Sequence, residues 1–202
     1  MRSWPHRFAV TAAVLFMSQS SAGAQTLADA RQKFDAGEYQ RAIDAADASG
    51  DPRLVFLVAQ SQQRLRKGDD ARRKYEQLAT RPDADPWRHV GLSGIALIAS
   101  NAGEAVREAD RAVAMDGSLA EAHYQRGLAL SASQNMPDAA AAFDKAGDLD
   151  PAWAYPHYYA GIAYSRLKRS DLTARHFQTF LKLAPQAPER GEVQAILRTL
   201  AR

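Results

Sequence analysis

Three of the five histidines in this 202-residue sequence, His89, His123 and His157, stand 34 residues apart. Imidazole titrates near neutral pH and is the commonest metal ligand, so a periodic set suggests a metal- or cofactor-binding carrier, or groups that charge together in mild acid. Either reading depends on the elements that hold the three rings. If each occupies the same place on one of a series of stacked helices, neighbouring rings are separated by an interhelical distance of about 8–10 Å. That is too far for two of them to share a zinc ion through bonds of about 2 Å. The histidine ladder is therefore the alternative reading, and no metal or cofactor is assigned.

Other chemistry fares less well. With no cysteine anywhere, disulfide frameworks, thiolate metal sites and cysteine nucleophiles are excluded. The sequence has no H-E-x-x-H, no G-x-S-x-G and no phosphate-cradling glycine loop. Acidic clusters such as Asp69-Asp70 and Asp148-Asp150 fit helix ends. The chain is expected not to be an enzyme.

The first 24 residues differ from the rest: Arg2, His6 and Arg7, then the apolar run Phe8 to Met17, then a small polar stretch ending in Ala22-Gly23-Ala24. This is the layout of a secretory signal peptide cleaved after Ala24, leaving Gln25 as the mature N-terminus. The apolar run of ten residues is short against the roughly 20 that span a bilayer, so no integral span is expected after cleavage. Removing the leader's two arginines lowers the formal net charge from +3 to +1, which leaves nothing like the basic footprint of a nucleic-acid binder. Export implies a periplasmic location.

The elements behind the histidines show in the same spacing. Gly127 recurs as Gly161, Phe143 as Phe177 and Pro151 as Pro185, each 34 residues on; Ala71, Ala105 and Ala139 keep the same interval, as do Ala112 and Ala146. Small residues at a fixed phase mark close approaches between paired helices, and a constant period signals a repeat array. Pro52, Pro86 and Pro137 suit first helical turns, while Pro151 and Pro185 stop the helices ahead of them. No segment alternates like a strand, and the helical segments are rich in Ala, Leu, Arg, Gln and Glu.

In period and landmarks the chain resembles the tetratricopeptide repeat (TPR) family, a 34-residue helix-turn-helix. The unit from Ala120 matches at Gly127, Leu130, Ala139, Phe143, Ala146 and Pro151; that from Ala154 matches at Gly161, Tyr164, Phe177 and Pro185. Departures are Arg126 and Ala160 for Leu, and Thr173 and Phe180 for the two alanines. The resemblance implies an all-α, right-handed α-solenoid of about five repeats, at approximately 25–51, 52–85, 86–119, 120–153 and 154–187. The first repeat's second helix is expected to be short, because Ala42 to Ala71 spans only 29 residues, with a tight turn at Gly50-Asp51-Pro52. Residues 188–202 read as a capping helix with the stripe Val193, Ile196, Leu197 and Leu200. His89, His123 and His157 fall where the family usually carries an aromatic, so packed imidazoles explain them.

In that family the concave surface is lined by the first helix of each pair. Carried into this register it comprises Phe56 in the second repeat, Trp87 and Val90 in the third, Tyr124 and Leu128 in the fourth, and Tyr155, Tyr158 and Ile162 in the fifth. These are the candidate partner-binding residues, since Tyr and Trp anchor binding hot spots; that some of them only pack between helices stays open. Chaperone-tail recognition is not expected, because Phe56, Gln60, Val90, Gly94, Tyr124 and Leu128 replace the Lys and Asn it needs. The expected function is a scaffold that binds a protein or peptide partner in the bacterial cell envelope, with self-association through an exposed solenoid face left open.

Overall fold

A computed structural model of the chain describes residues 23, 25–46 and 49–201; apart from Gly23, the leader lies outside them. Among the described residues the regular structure is all helical. Helix α1 covers 25–35 and is followed by α2 (Tyr39–Ala46), α3 (Pro52–Arg64), α4 (Gly68–Ala79), α5 (Pro86–Ile98), α6 (Ala102–Met115), α7 (Ala120–Ala132), α8 (Met136–Leu149), α9 (Ala154–Arg166), α10 (Ser170–Leu183) and α11 (Arg190–Leu200). Consecutive helices pack against each other as antiparallel pairs, and the first helices of neighbouring pairs also touch, as α5 and α7 do. The result is an α-solenoid of five hairpins and a terminal helix.

The boundaries follow local chemistry. Asp51 and Asp85 cap α3 and α5, each accepting from the backbone N–H two residues on, with Pro52 and Pro86 at first helical positions where no N–H is needed. Asn101 and Asn135 cap the second helices α6 and α8 through the N–H three residues on. The turn inside each pair ends its first helix with one residue in the left-handed region: Gly37 at φ 78°, then Arg66, Ser100, Gln134 and Lys168 at φ 58–63°. The next N–H closes a six-residue ring to the helix, as in Asn101 N to Ala96 O and Asn135 N to Leu130 O, both 2.9 Å. The last four of these turn residues are 34 apart, and Gly37 precedes Arg66 by 29. That shorter step matches α2, which has only 8 residues.

The small-residue phase is where the pairs interlock. Ala71, Ala105 and Ala139 are fully buried, and Thr173 takes the same place. A Cβ on Gly127 would lie 2.5 Å from the Phe143 ring, and one on Gly161 would lie 2.5 Å from that of Phe177. At the terminus, Val193 of α11 is buried, Ile196 and Leu197 are half-buried, and Leu200 at the far end of the stripe is exposed.

Candidate functional site: the concave face

Carrying the turn register back through Gly37 assigns Leu27, Arg31 and Phe34 of α1 to concave positions of the first repeat. In the structure Arg31 and Phe34 meet residues of the fourth and fifth repeats, so the solenoid closes on itself. Phe34 meets Tyr155 edge-on with ring centroids 5.0 Å apart. Arg31 reaches the carboxylate of Glu121 at 3.0 Å, forms a second ion pair with Asp150, and lays its guanidinium 5.0 Å from the centre of the Trp153 ring. Burial pushes the Glu121 carboxyl up, against the downward pull of Arg31.

A second latch lies nearby. Arg64, at the end of α3, bonds Glu189 at 2.6 Å and stacks its guanidinium 4.8 Å from the Tyr155 ring, while the Tyr155 hydroxyl donates to the other Glu189 oxygen at 3.0 Å. The segment before α11 thereby touches both walls of the groove. Pro188 packs on Gly37, the turn that follows α1. Asp35, at the end of α1, is pushed up to about 7 by burial, opposed by Arg31 and reinforced by Glu189.

Burial limits what the predicted groove residues can do. Phe56, Trp87, Val90, Tyr124 and Tyr155 are buried, so packing between helices, the alternative left open for these residues by the sequence, describes their setting in the structure. Phe56 packs edge-on to Trp87 and Tyr124, with centroids 6.1 and 6.2 Å apart, and Tyr124 lies 4.5 Å from Trp153. The rings pack on one another and on neighbouring helices to form the groove floor, and of these rings Tyr155 also meets α1, through Phe34. Leu128, Tyr158 and Ile162 are half-buried and stay reachable. Beside Leu128 a cavity of about 360 Å³ opens, lined by Gln60, Gln63, Arg64, Leu97 and Tyr159. Sequence reasoning missed Arg31, Phe34, Arg64 and Glu189; the turn register through Gly37 was the signal for the first two.

The histidine ladder does not converge. His89 Nδ1 lies 2.6 Å from Glu108, His123 Nε2 lies 3.0 Å from the Gly117 carbonyl, and His157 Nδ1 lies 3.2 Å from Nδ1 of His176. Each imidazole has a different local partner, so the three form no shared site. Among the described residues no group of three or more His, Cys, Asp or Glu is placed to hold a metal ion.

The stacked hairpins, the left-handed residue in each turn and the concave inner face define a TPR fold. No family model and no curated protein matches the sequence. Among solved structures, it is similar to a thermophilic TPR protein of Thermus thermophilus, at 18% identity and a TM-score of 0.61 over 88% of this chain and 98% of that one. It is also similar to the TPR2AB domain of yeast Sti1 in complex with pHSP90, at 12% identity and TM-score 0.53 over 88% and 84%. A third likeness is to MamA, at 16% identity and TM-score 0.50 over 77% and 87%.

Proposed function

We propose that the protein is a non-enzymatic interaction scaffold of the bacterial cell envelope that receives a segment of a partner protein in its concave groove. The observation that carries this reading is the groove itself: aromatic rings pave its floor, Leu128 lines an open cavity, and Tyr158 and Ile162 of the next repeat are only half-buried. A fold made of stacked hairpins puts its variable side chains on that face. The envelope location rests on the leader pattern of residues 1–24. No described helix is long and apolar enough to cross a membrane.

The test is in-cell photocrosslinking from position 158, with capture compared between the native chain and a Leu128→Ala, Ile162→Ala variant. The reading expects one envelope protein to be captured by the native chain and lost from the variant while helicity is retained. Equal capture by both would move the binding surface elsewhere.

A further inference from the structure

The setting of Arg31 is a built recognition site. One guanidinium nitrogen donates to Glu121 and the other terminal nitrogen to Asp150, while the guanidinium carbon lies over the Trp153 indole, 5.0 Å from its centre. Two carboxylates meeting separate N–H groups, with an aromatic plane beneath, match a planar five-donor fork and not a point-charge ammonium. The site is shielded but not sealed: the side chains of Arg31, Glu121 and Asp150 are 17%, 6% and 26% exposed. One turn further along α1, Phe34 fills the adjoining place against Tyr155. All four receiving residues lie in the fourth and fifth repeats or the turn between them, whereas Arg31 and Phe34 come from the first.

We propose that Glu121, Asp150 and Trp153 form an arginine-recognition box, that Tyr155 is its neighbouring aromatic seat, and that α1 occupies both in cis. The ligand that this wall fits is a helical segment of another polypeptide that presents an arginine and, three residues later, an aromatic ring. This rests on the groove-binding reading above and specifies its ligand. The charge pattern bears on the choice: Glu121, Asp150 and Glu189 make this wall acidic, and each is paired across the groove with Arg31 or Arg64. A partner helix therefore gains a seat only by replacing α1, and binding is coupled to release of the latch. A cleft of about 610 Å³ along the flank of α1, between it and the end of α10, gives such a helix a place of approach.

The test uses the full chain with Arg31→Ala and Phe34→Ala, which empties the box, and as probe a fluorescent peptide of residues 25–38. The proposal expects saturable one-to-one binding to the emptied chain, weaker by about tenfold or more on the native chain, whose own α1 competes. Exchanging the peptide's arginine for lysine lowers affinity by about tenfold or more, since the fork contacts are lost. Glu121→Gln with Asp150→Asn in the emptied chain abolishes binding. Equal binding of the lysine peptide, or no binding to an emptied chain of native helicity, overturns the proposal.

If the double variant does not fold, Arg31→Ala alone serves. Its melting temperature then rises with millimolar propylguanidinium and not with propylammonium, and equal effects of the two would refute the box. Light scattering on the native chain adds one more outcome: a dimer held by exchange of α1 between copies would make the second copy the ligand, and the proposal would fall. Failure of the peptide experiment with retained crosslinking from position 158 removes the box and leaves the scaffold reading standing. Loss of crosslinking with retained peptide binding does the reverse.

Discussion

Phe34 and Tyr155 meet edge to face, their planes inclined at 73°, although one belongs to the first repeat and the other to the fifth. Ring contacts of this geometry favour the positive edge of one ring over the negative face of the other. Phe34 is also edge-on to Tyr39 and is almost fully buried. It therefore ties its own hairpin to the far end of the solenoid.

Phe34→Ala should lower stability by about 3–5 kcal/mol, the usual range for a buried Phe. Tyr155→Phe removes the hydroxyl that donates to the Glu189 carboxylate and should cost about 1.5–3 kcal/mol, the range for a hydrogen bond to a charged group. Urea unfolding gives both numbers. Hydrogen exchange should show that Phe34→Ala strips protection from α1 first; uniform loss along the chain would mean that α1 is not a separable latch.

Asp35 gives the latch a pH dependence. Its folded pKa, raised to about 7, lies above the unfolded value of 3.8. The folded state thus holds a proton that the unfolded state releases. The resulting stability is fully present below about 4 and is lost as pH rises to about 7, with no further change above. Asp35→Asn should flatten this slope and leave the variant more stable than the native chain at pH 8. An unchanged slope in thermal melts between pH 4 and 8 would place the titrating group elsewhere.

The scaffold was legible because its signals are local. Pro52 and Pro86 announce first helical turns, Ala71, Ala105 and Ala139 announce close approach, and the 29-residue step to Ala71 announces the short α2. The left-handed turn residues were not legible, since Arg66, Ser100, Gln134 and Lys168 carry no side-chain preference for that conformation; only Gly37 does. Closure of the groove was hidden for a different reason. Whether α1 meets α7 and α9 depends on small rotations accumulated over several repeats, and no single residue encodes them. Neither the packing of Tyr124 against Phe56 and Trp153 nor the meeting of Tyr155 with Phe34 of α1 is visible in the 34-residue period.

The turn residues permit a paired test. At Gln134, φ of 63° costs a side chain about 1–2 kcal/mol, which Gly avoids, so Gln134→Gly should raise stability by about 0.5–1 kcal/mol after the greater entropy of unfolded glycine is subtracted. Gly37→Ala should act oppositely. Its Cβ would sit 2.6 Å from Pro188 Cγ at a φ of 78°, a strain together with a clash that should cost about 2 kcal/mol or more. Opposite shifts in melting temperature confirm the turn geometry; a gain from both would contradict it.

The helix crossings predict a phase-specific penalty. Alanine at Gly127 or Gly161 drives a methyl group into Phe143 or Phe177, which should lower stability by about 1–3 kcal/mol through overpacking. Gly103→Ala meets nothing closer than 3.8 Å, so helix propensity favours it by up to about 1 kcal/mol. Phe143→Leu combined with Gly127→Ala should recover part of the loss, and strict additivity of the two would separate their sites.

Burial lowers the pKa of both His123 and His157, and His157, the third member of the ladder, is the one with a second imidazole beside it. His157 and His176 face each other at 3.2 Å, and Asp144 lies 3.2 Å from the other nitrogen of His176 while accepting from the Tyr164 hydroxyl at 2.5 Å. Burial lowers both histidine pKa values; for His157 the partner ring adds to this, and for His176 the carboxylate of Asp144 opposes it. Below the unfolded value of 6.5 the unfolded chain gains protons that the folded chain resists. Stability from this pair is therefore present above about 6.5 and declines as pH falls below it. His157→Phe keeps a packed ring without the proton and should reduce the acid loss between pH 6.5 and 5, measured on an Asp35→Asn background so that the opposite slope of Asp35 is removed. An acid loss of the same size in both chains would assign it to groups other than the α9–α10 histidines.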